Sequence, residues 1–316
     1  MIIPLLIIFA GLAVLIVGAE MLVRGSASMA KKLGVSSIVI GLTVVAFGTS
    51  APELFVNLFS AYKGTTDLAI GNIIGSNMAN ILLILGVGAT MTAIKVKAGT
   101  TYKEIPFALL AMILVAVFGN DLFLDGNSSN ILSRTDGLAL MGFFIIFLYY
   151  TYGLSKASGD DQKVELYPWA TSLLMVIGGL VALILGGKLI VENAIILATI
   201  AGMSEALIGL TIVAVGTSLP ELATTIVALR KGQNDIAIGN VVGSNIFNVF
   251  WILGVTAIIK PLPFDTAANI DVLFTTIITL LLFAFMFIGK KHTLERWQGI
   301  CFLFLYVGYV TYAVMR

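Results

Sequence analysis

Ten apolar stretches constrain this chain more than anything else in it: residues 2–23, 36–62, 66–91, 104–120, 136–154, 168–191, 204–229, 235–259, 268–289 and 296–315. Crossing a bilayer as a helix takes about 17–25 mostly apolar residues, whereas a barrel strand takes about 9–11. In hydrocarbon every backbone N–H and C=O must be satisfied inside the structure, which an open sheet cannot do. The expected fold class is therefore an all-α membrane protein of ten transmembrane helices. A composition of 59% hydrophobic and 11% charged residues agrees, since soluble domains carry about 25% charged residues. The first stretch has no basic leader and outlasts a signal-peptide core, so it reads as a retained span. A net charge of +1 gives no basic patch for nucleic acid. The one cysteine, Cys301, lies in an apolar run and excludes an internal disulfide. The one histidine, His292, follows Lys290 and Lys291 in a cationic loop and reads as solvated.

The loops carry the orientation. With the N-terminus outside, the inner loops hold Arg24, Lys31, Lys32, Lys95, Lys97, Lys103, Lys156, Lys163, Arg230, Lys231, Lys290, Lys291 and Arg296, which is 13 of the 18 basic residues. The outer loops hold Lys63, Arg134 and Lys260. The excess of inner lysine and arginine puts both termini on the extracytoplasmic side of a cell (inner) membrane, with the chain multi-pass. The longest polar connection, 154–167, then becomes a cytoplasmic linker.

That linker separates two copies of one pattern. At a fixed offset of 168, residues 41–54 and 209–222 match at 11 of 14 positions, and residues 63–80 and 231–248 at 11 of 18. A constant offset over so much chain means duplication. The expected domains are a five-helix repeat over 1–153 with its motif pair in 41–80, the linker 154–167, and a second repeat over 168–316 with its motif pair in 209–248. Five is odd, so the second copy enters the membrane from the other side. Inverted repeats build a midplane site from two broken helices and expose it alternately to each face.

The polar residues inside these spans carry the chemistry. Gly48-Thr49-Ser50-Ala51-Pro52-Glu53 recurs as Gly216-Thr217-Ser218-Leu219-Pro220-Glu221. A carboxylate at membrane depth costs several kcal/mol unless an ion or partner compensates it. Proline has no N–H, so Pro52 and Pro220 free backbone oxygens one turn earlier and open the helix there. Thr49 and Glu53 are four apart and share a face, as do Thr217 and Glu221. Two runs follow, Gly71-Asn72-Ile73-Ile74-Gly75-Ser76-Asn77-Met78-Ala79-Asn80 and Gly239-Asn240-Val241-Val242-Gly243-Ser244-Asn245-Ile246-Phe247-Asn248. Their glycines, four apart, read as close-packing faces. Asn72, Asn77, Asn240 and Asn245 are as compatible with interhelical hydrogen bonding as with a site. Asn80 and Asn248, each ending a polar stripe, read as site residues.

An all-oxygen cage with a formal charge of −2 suits a hard cation and not zinc, copper or iron, which favour thiolate or imidazole. Calcium takes six to eight flexible oxygens, while magnesium keeps its waters. One calcium neutralises two glutamates, and so do two sodium ions or two protons. Equal charge at one site is the basis of exchange.

These motifs resemble the two alpha repeats of the cation/calcium exchanger superfamily, and within it the prokaryotic sodium/calcium antiporters. The resemblance implies secondary antiport of sodium for calcium by alternating access, with a site built from the second, third, seventh and eighth helices. It implies Glu53 and Glu221 as shared carboxylates, oxygens from Thr49 and Thr217, and sodium positions lined by Ala46, Ala214, Ser50, Ser218, Ser76 and Ser244. Asparagine at both 80 and 248 makes potassium coupling less expected, because the potassium-dependent branch resembles an aspartate pattern there. No enzyme activity and no cofactor are expected. The expected partners are calcium and sodium ions and membrane lipid, with no protein partner and a monomeric state. The glycine-bearing first and sixth helices are the expected gate. A proton/calcium antiporter of the same fold, and less readily a cation channel, remain alternatives at this point.

Overall fold

The computed structural model of the chain describes residues 2–124, 126, 129–155, 164–202 and 214–315. The inner part of the 154–167 linker, 156–163, and the start of the second motif, 209–213, lie outside the described residues. The spans are α1 (Ile2–Leu33), α2 (Ser37–Thr49), α3 (Ala51–Lys63), α4 (Leu68–Met91), α5 (Ala98–Phe118), α6 (Arg134–Ser155), α7 (Trp169–Ile200), α8 (Ala214–Thr217), α9 (Leu219–Arg230), α10 (Asn234–Ile259), α11 (Thr266–Phe285) and α12 (Arg296–Met315). Among the described residues, eight helices are long and apolar enough to cross a membrane. The bent pair α2–α3 makes a ninth. The chain is thus an all-helical, multi-pass membrane protein.

The first and sixth spans run further than the sequence suggests. The apolar runs end at Val23 and Val191, but α1 continues to Leu33 and α7 to Ile200. The charged residues that close the runs do not stop the helices. Glu20 and Arg24 bond within one turn at 2.7 Å, and Lys188 and Glu192 pair in the same i,i+4 register at 3.7 Å. What stops them is a glycine in the left-handed region, Gly34 at φ +68 and Gly202 at φ +81, again 168 apart.

α1 and α7 lie antiparallel along most of their length. Their seam is made of small residues seven apart. A Cβ placed on Gly11 would stand 3.1 Å from the Gly186 carbonyl oxygen, one on Gly18 2.9 Å from that of Gly179, and one on Gly25 2.9 Å from that of Ser172. Apolar attraction between helices is weak in lipid, so such backbone contact is what holds them together. This pair stays at the edge of the bundle, with only 22% of the apolar stretch of α1 and 28% of that of α7 buried.

The centre belongs to α4 and α10, whose apolar stretches have 72% and 78% of their residues buried. Both change from α- to π-helical winding at equivalent places, over Asn80–Leu85 and Phe247–Leu253. A third π segment, Gly41–Val45, lies in α2. Around them α12 packs on the far half of α4, α6 on the far half of α10, and α11 on α5. Two antiparallel ribbons tie the connections across the halves, β1 (Ile94–Lys95) with β4 (Thr293–Leu294), and β2 (Ile131–Leu132) with β3 (Leu262–Pro263). His292 belongs to this lacing and is not the solvated side chain its sequence neighbours suggest. Its Nδ1 lies 3.0 Å from Thr101 Oγ1, and its ring packs on Tyr102 and Phe287.

Candidate functional site

The two Pro-Glu motifs form sharp joints. α2 ends at Thr49, Ser50 leaves helical geometry at φ −82, ψ 9, and α3 restarts at Ala51, bent by 46°. Ser218, at φ −87, ψ 5, makes the same joint between α8 and α9. The prolines explain it, because each takes a donor out of the turn and sits where a new helix tolerates it, in the first turn. Glu53 and Glu221 therefore fall in the first turns of α3 and α9. There the unpaired N–H groups and the helix dipole favour negative charge by about 0.3–1 kcal/mol, more when partly buried. Both side chains are 1% exposed.

The carboxylates are held from both halves. Glu53 Oε1 accepts from Ser76 at 3.3 Å, and Thr217 from the other half also bonds it. Glu221 Oε1 accepts from Ser50 of the other half at 3.1 Å and from Ser244 of its own at 3.5 Å. The crossing of Ser50 and Thr217 makes this one site. The second oxygens, Glu53 Oε2 and Glu221 Oε2, are buried and accept no hydrogen bond from the described residues. Asn80 Oδ1 and Asn248 Oδ1 are buried and unpartnered in the same way. Four acceptor oxygens without donors, in two pairs 168 residues apart, suit a cation, since leaving each one unpaired costs about 1–3 kcal/mol and more for a charge.

The remaining predicted residues have different surroundings. The Thr49 hydroxyl donates to Asn240 Oδ1 at 2.9 Å. The Ala46 carbonyl accepts from the Ser50 N–H at 3.0 Å, with the Thr49 hydroxyl at 3.4 Å. Ser218 is buried, and its Oγ has no partner among the described residues. Ala214 is the first described residue of α8. Gly239 and Gly243 press on α2, a Cβ on Gly243 coming 2.8 Å from that of Ala46. Nothing among the described residues lies within 4 Å of a Cβ on Gly71 or Gly75.

The four asparagines left open by the sequence are all engaged with protein. Asn72 Nδ2 donates to the Glu53 carbonyl at 3.4 Å and to Asn57 Oδ1 at 2.7 Å. Asn240 Nδ2 donates to the Glu221 carbonyl at 3.2 Å and to Thr225 Oγ1 at 3.0 Å. These two bonds brace the first turns of α3 and α9. Asn57 and Thr225 escaped the sequence reading, although each follows its glutamate by four and so shares its face. Asn77 and Asn245 bond across the centre, as described below. Glu20, which the repeat offset aligns with Lys188, instead bridges Arg24 and Lys231, each at 2.7 Å.

The sequence profile of the sodium/calcium exchanger protein family matches residues 3–153 and 171–315. The sodium/calcium exchanger MaX1 of Methanosarcina acetivorans is 31% identical over 96% of this chain and 97% of its own. The inner membrane protein YrbG of Escherichia coli K12 is 37% identical over 83% of this chain and 82% of its own. A solved structure of the sodium-calcium exchanger NCX_Mj superposes with a TM-score of 0.84 at 35% identity, covering 100% of this chain and 99% of that one.

Proposed function

Because the chain belongs to the sodium/calcium exchanger family, we propose that it exchanges sodium for calcium across the membrane at one site between Glu53 and Glu221. The observation that carries this is the set of four buried oxygens without donors, Glu53 Oε2, Glu221 Oε2, Asn80 Oδ1 and Asn248 Oδ1. Calcium accepts carboxylate and amide oxygens together. Bound there, it neutralises a charge of −2 that would otherwise be buried with no cation beside it. Sodium ions occupy overlapping positions, drawing on Thr49, Thr217, Ser50, Ser218, Ser76, Ser244 and the backbone at Ala46 and Ala214. Ser50 and Ser244 hold Glu221, and Ser76 and Thr217 hold Glu53. Calcium and sodium compete there because both draw on the same two carboxylates.

The architecture we infer is ten spans in two inverted five-helix repeats, 1–153 and 168–316, joined by a cytoplasmic linker over 154–167. The span beyond the nine counted above is the seventh in chain order, whose described part is α8 and α9. Supporting this are the offset of 168, the paired joints at Ser50 and Ser218, the paired π segments of α4 and α10, and the ribbon strands Ile94–Lys95 and Leu262–Pro263, also 168 apart. Both termini face the extracytoplasmic side of the cell membrane, and the chain works as a monomer. α1 and α7 are the moving pair, sliding over the central helices to open the site to one face at a time. Their small-residue seam and low burial suit that task.

Calcium uptake into proteoliposomes loaded with sodium tests the function. Uptake should follow the outward sodium gradient and vanish in Glu53→Gln. Uptake that follows a pH gradient with sodium absent would reassign the antiported ion to the proton. Conductance without counter-transport would mean a channel.

A further inference from the structure

We propose that Asn77 and Asn245 are positioning residues for the cation site, and that they fix which atom of Asn80 and Asn248 faces the ion. The proposal rests on the site assignment above and names residues outside it. A carboxamide has an oxygen end and a nitrogen end of nearly the same shape, so its surroundings decide which way it points. Here the decision begins at two backbone carbonyls, which can only accept. Asn77 Nδ2 donates to the Asn245 carbonyl at 3.3 Å, and Asn245 Nδ2 donates to the Asn77 carbonyl at 3.4 Å. Reversing either amide would set oxygen against oxygen. Their Oδ1 atoms must therefore point the other way, and each meets the next amide of the opposite helix. Asn248 Nδ2 donates to Asn77 Oδ1 at 3.0 Å, and Asn80 Nδ2 donates to Asn245 Oδ1 at 2.9 Å. With their nitrogens held on those acceptors, Asn80 and Asn248 turn their oxygens the other way, and those are the buried Oδ1 atoms without a partner among the described residues.

The relay has two steps, each forced by the one before, and it runs once in each direction between α4 and α10. All four residues are buried, Asn80 and Asn248 fully and Asn77 and Asn245 at 1% and 4% exposed, so water does not compete for these bonds. The relay also ends where the winding changes, since Asn80 opens one π segment and Asn248 is the second residue of the other. The wider turn of a π segment is the usual setting for a functional side chain. Without Asn77, the Asn248 amide loses the acceptor that holds its nitrogen away from the site. It is then free to turn that nitrogen toward a cation, which it cannot ligate.

The test is a double-mutant cycle on Asn77→Ala and Asn248→Ala, read as calcium Kd by isothermal titration of the purified protein, beside the KM and maximal rate of flux and the Tm. Asn77→Ala should weaken calcium roughly tenfold, the order expected for one misdirected buried ligand, and leave the maximal rate within about twofold. The double variant should bind no worse than Asn248→Ala alone, because Asn77 acts only through Asn248. Asn77→Ser, which retains a donor and an acceptor, should recover part of the loss. A wild-type Kd in Asn77→Ala, whatever its Tm, would reduce Asn77 to structural bracing and overturn the proposal. Losses that multiply in the double variant would overturn it too. If Asn77→Ala fails to fold, Asn245→Ala with Asn80→Ala repeats the cycle on the opposite arm. Wild-type protein that binds calcium without exchanging it would bring down the antiport reading and leave the relay to be judged on Kd.

Discussion

At the residue scale, the proposed site depends on acceptors that the described residues leave unsatisfied. Glu53→Gln and Glu221→Gln should each abolish sodium-driven calcium uptake, because a neutral amide at either position halves the site's charge and turns an acceptor into a donor. The halves are not identical in detail. Ser50 donates to Glu221 at 3.1 Å, whereas Ser218 Oγ has no described partner. A buried hydrogen bond to a charged group contributes about 1.5–3 kcal/mol. Ser50→Ala should therefore lower the Tm of the ion-free protein measurably more than Ser218→Ala, and equal losses would contradict the bonding described here. Much of this was legible in the sequence. An acid and a proline in an apolar span, repeated at a fixed offset, already mark Glu53 and Glu221. What was not legible is amide orientation. The sequence leaves Asn77 and Asn245 undecided between glue and site, because their role depends on carbonyls of a helix about 168 residues away. Asn57 and Thr225 differ in type while serving the same acceptor role, so matching the two copies could not reveal them.

At the element scale, the account turns on α1 and α7. Apolar length reveals both helices but places their ends too early, since an apolar count stops before Arg24 or Glu192 while a helix that pairs its charges within a turn does not. Their seam leaves no room for side chains. Gly18→Leu should therefore force α1 from α7 or fix the two in one register, and calcium flux should fall at least tenfold while calcium Kd changes little. Loss of binding and flux together would instead point to a misfolded bundle. Charge makes the two helices unequal. Glu20 of α1 reaches Lys231 at the end of α9. The positions related by 168 are Lys188 on α7 and Lys63 at the end of α3, which carry like charges. If α7 lay on α3 as α1 lies on α9, the corresponding contact would repel. The conformation held by Glu20–Lys231 is therefore favoured, by the modest amount an exposed pair supplies. Lys188→Glu should shift the balance about two- to fivefold toward the opposite-facing state. Cysteine labelling from each side of the membrane reads that shift, and unchanged labelling would remove the pair from the gating account.

At the scale of the whole molecule, the packing of α4 against α10 explains why a site so polar survives in so apolar a chain. Each half satisfies the other, through Ser50 on Glu221, Thr217 on Glu53 and the crossed asparagines. The duplication and the loop charges carry this plan in the sequence. The π segments and the crossing bonds do not show there, because they arise only when the copies pack. With a site charge of −2, one calcium leaves it neutral, while three sodium ions would leave it at +1. Exchange in that ratio moves charge, and each charge crossing 100 mV carries about 2.3 kcal/mol. An imposed membrane potential should therefore change the exchange rate, and a rate indifferent to potential would rule that ratio out. The central claim is tested most directly by calcium uptake into wild-type proteoliposomes under an outward sodium gradient, with pH equal on both sides. We expect uptake that starts with the gradient, stops when sodium is equalised and is absent from Glu53→Gln. Uptake that ignores sodium, or that survives in Glu53→Gln, would contradict it.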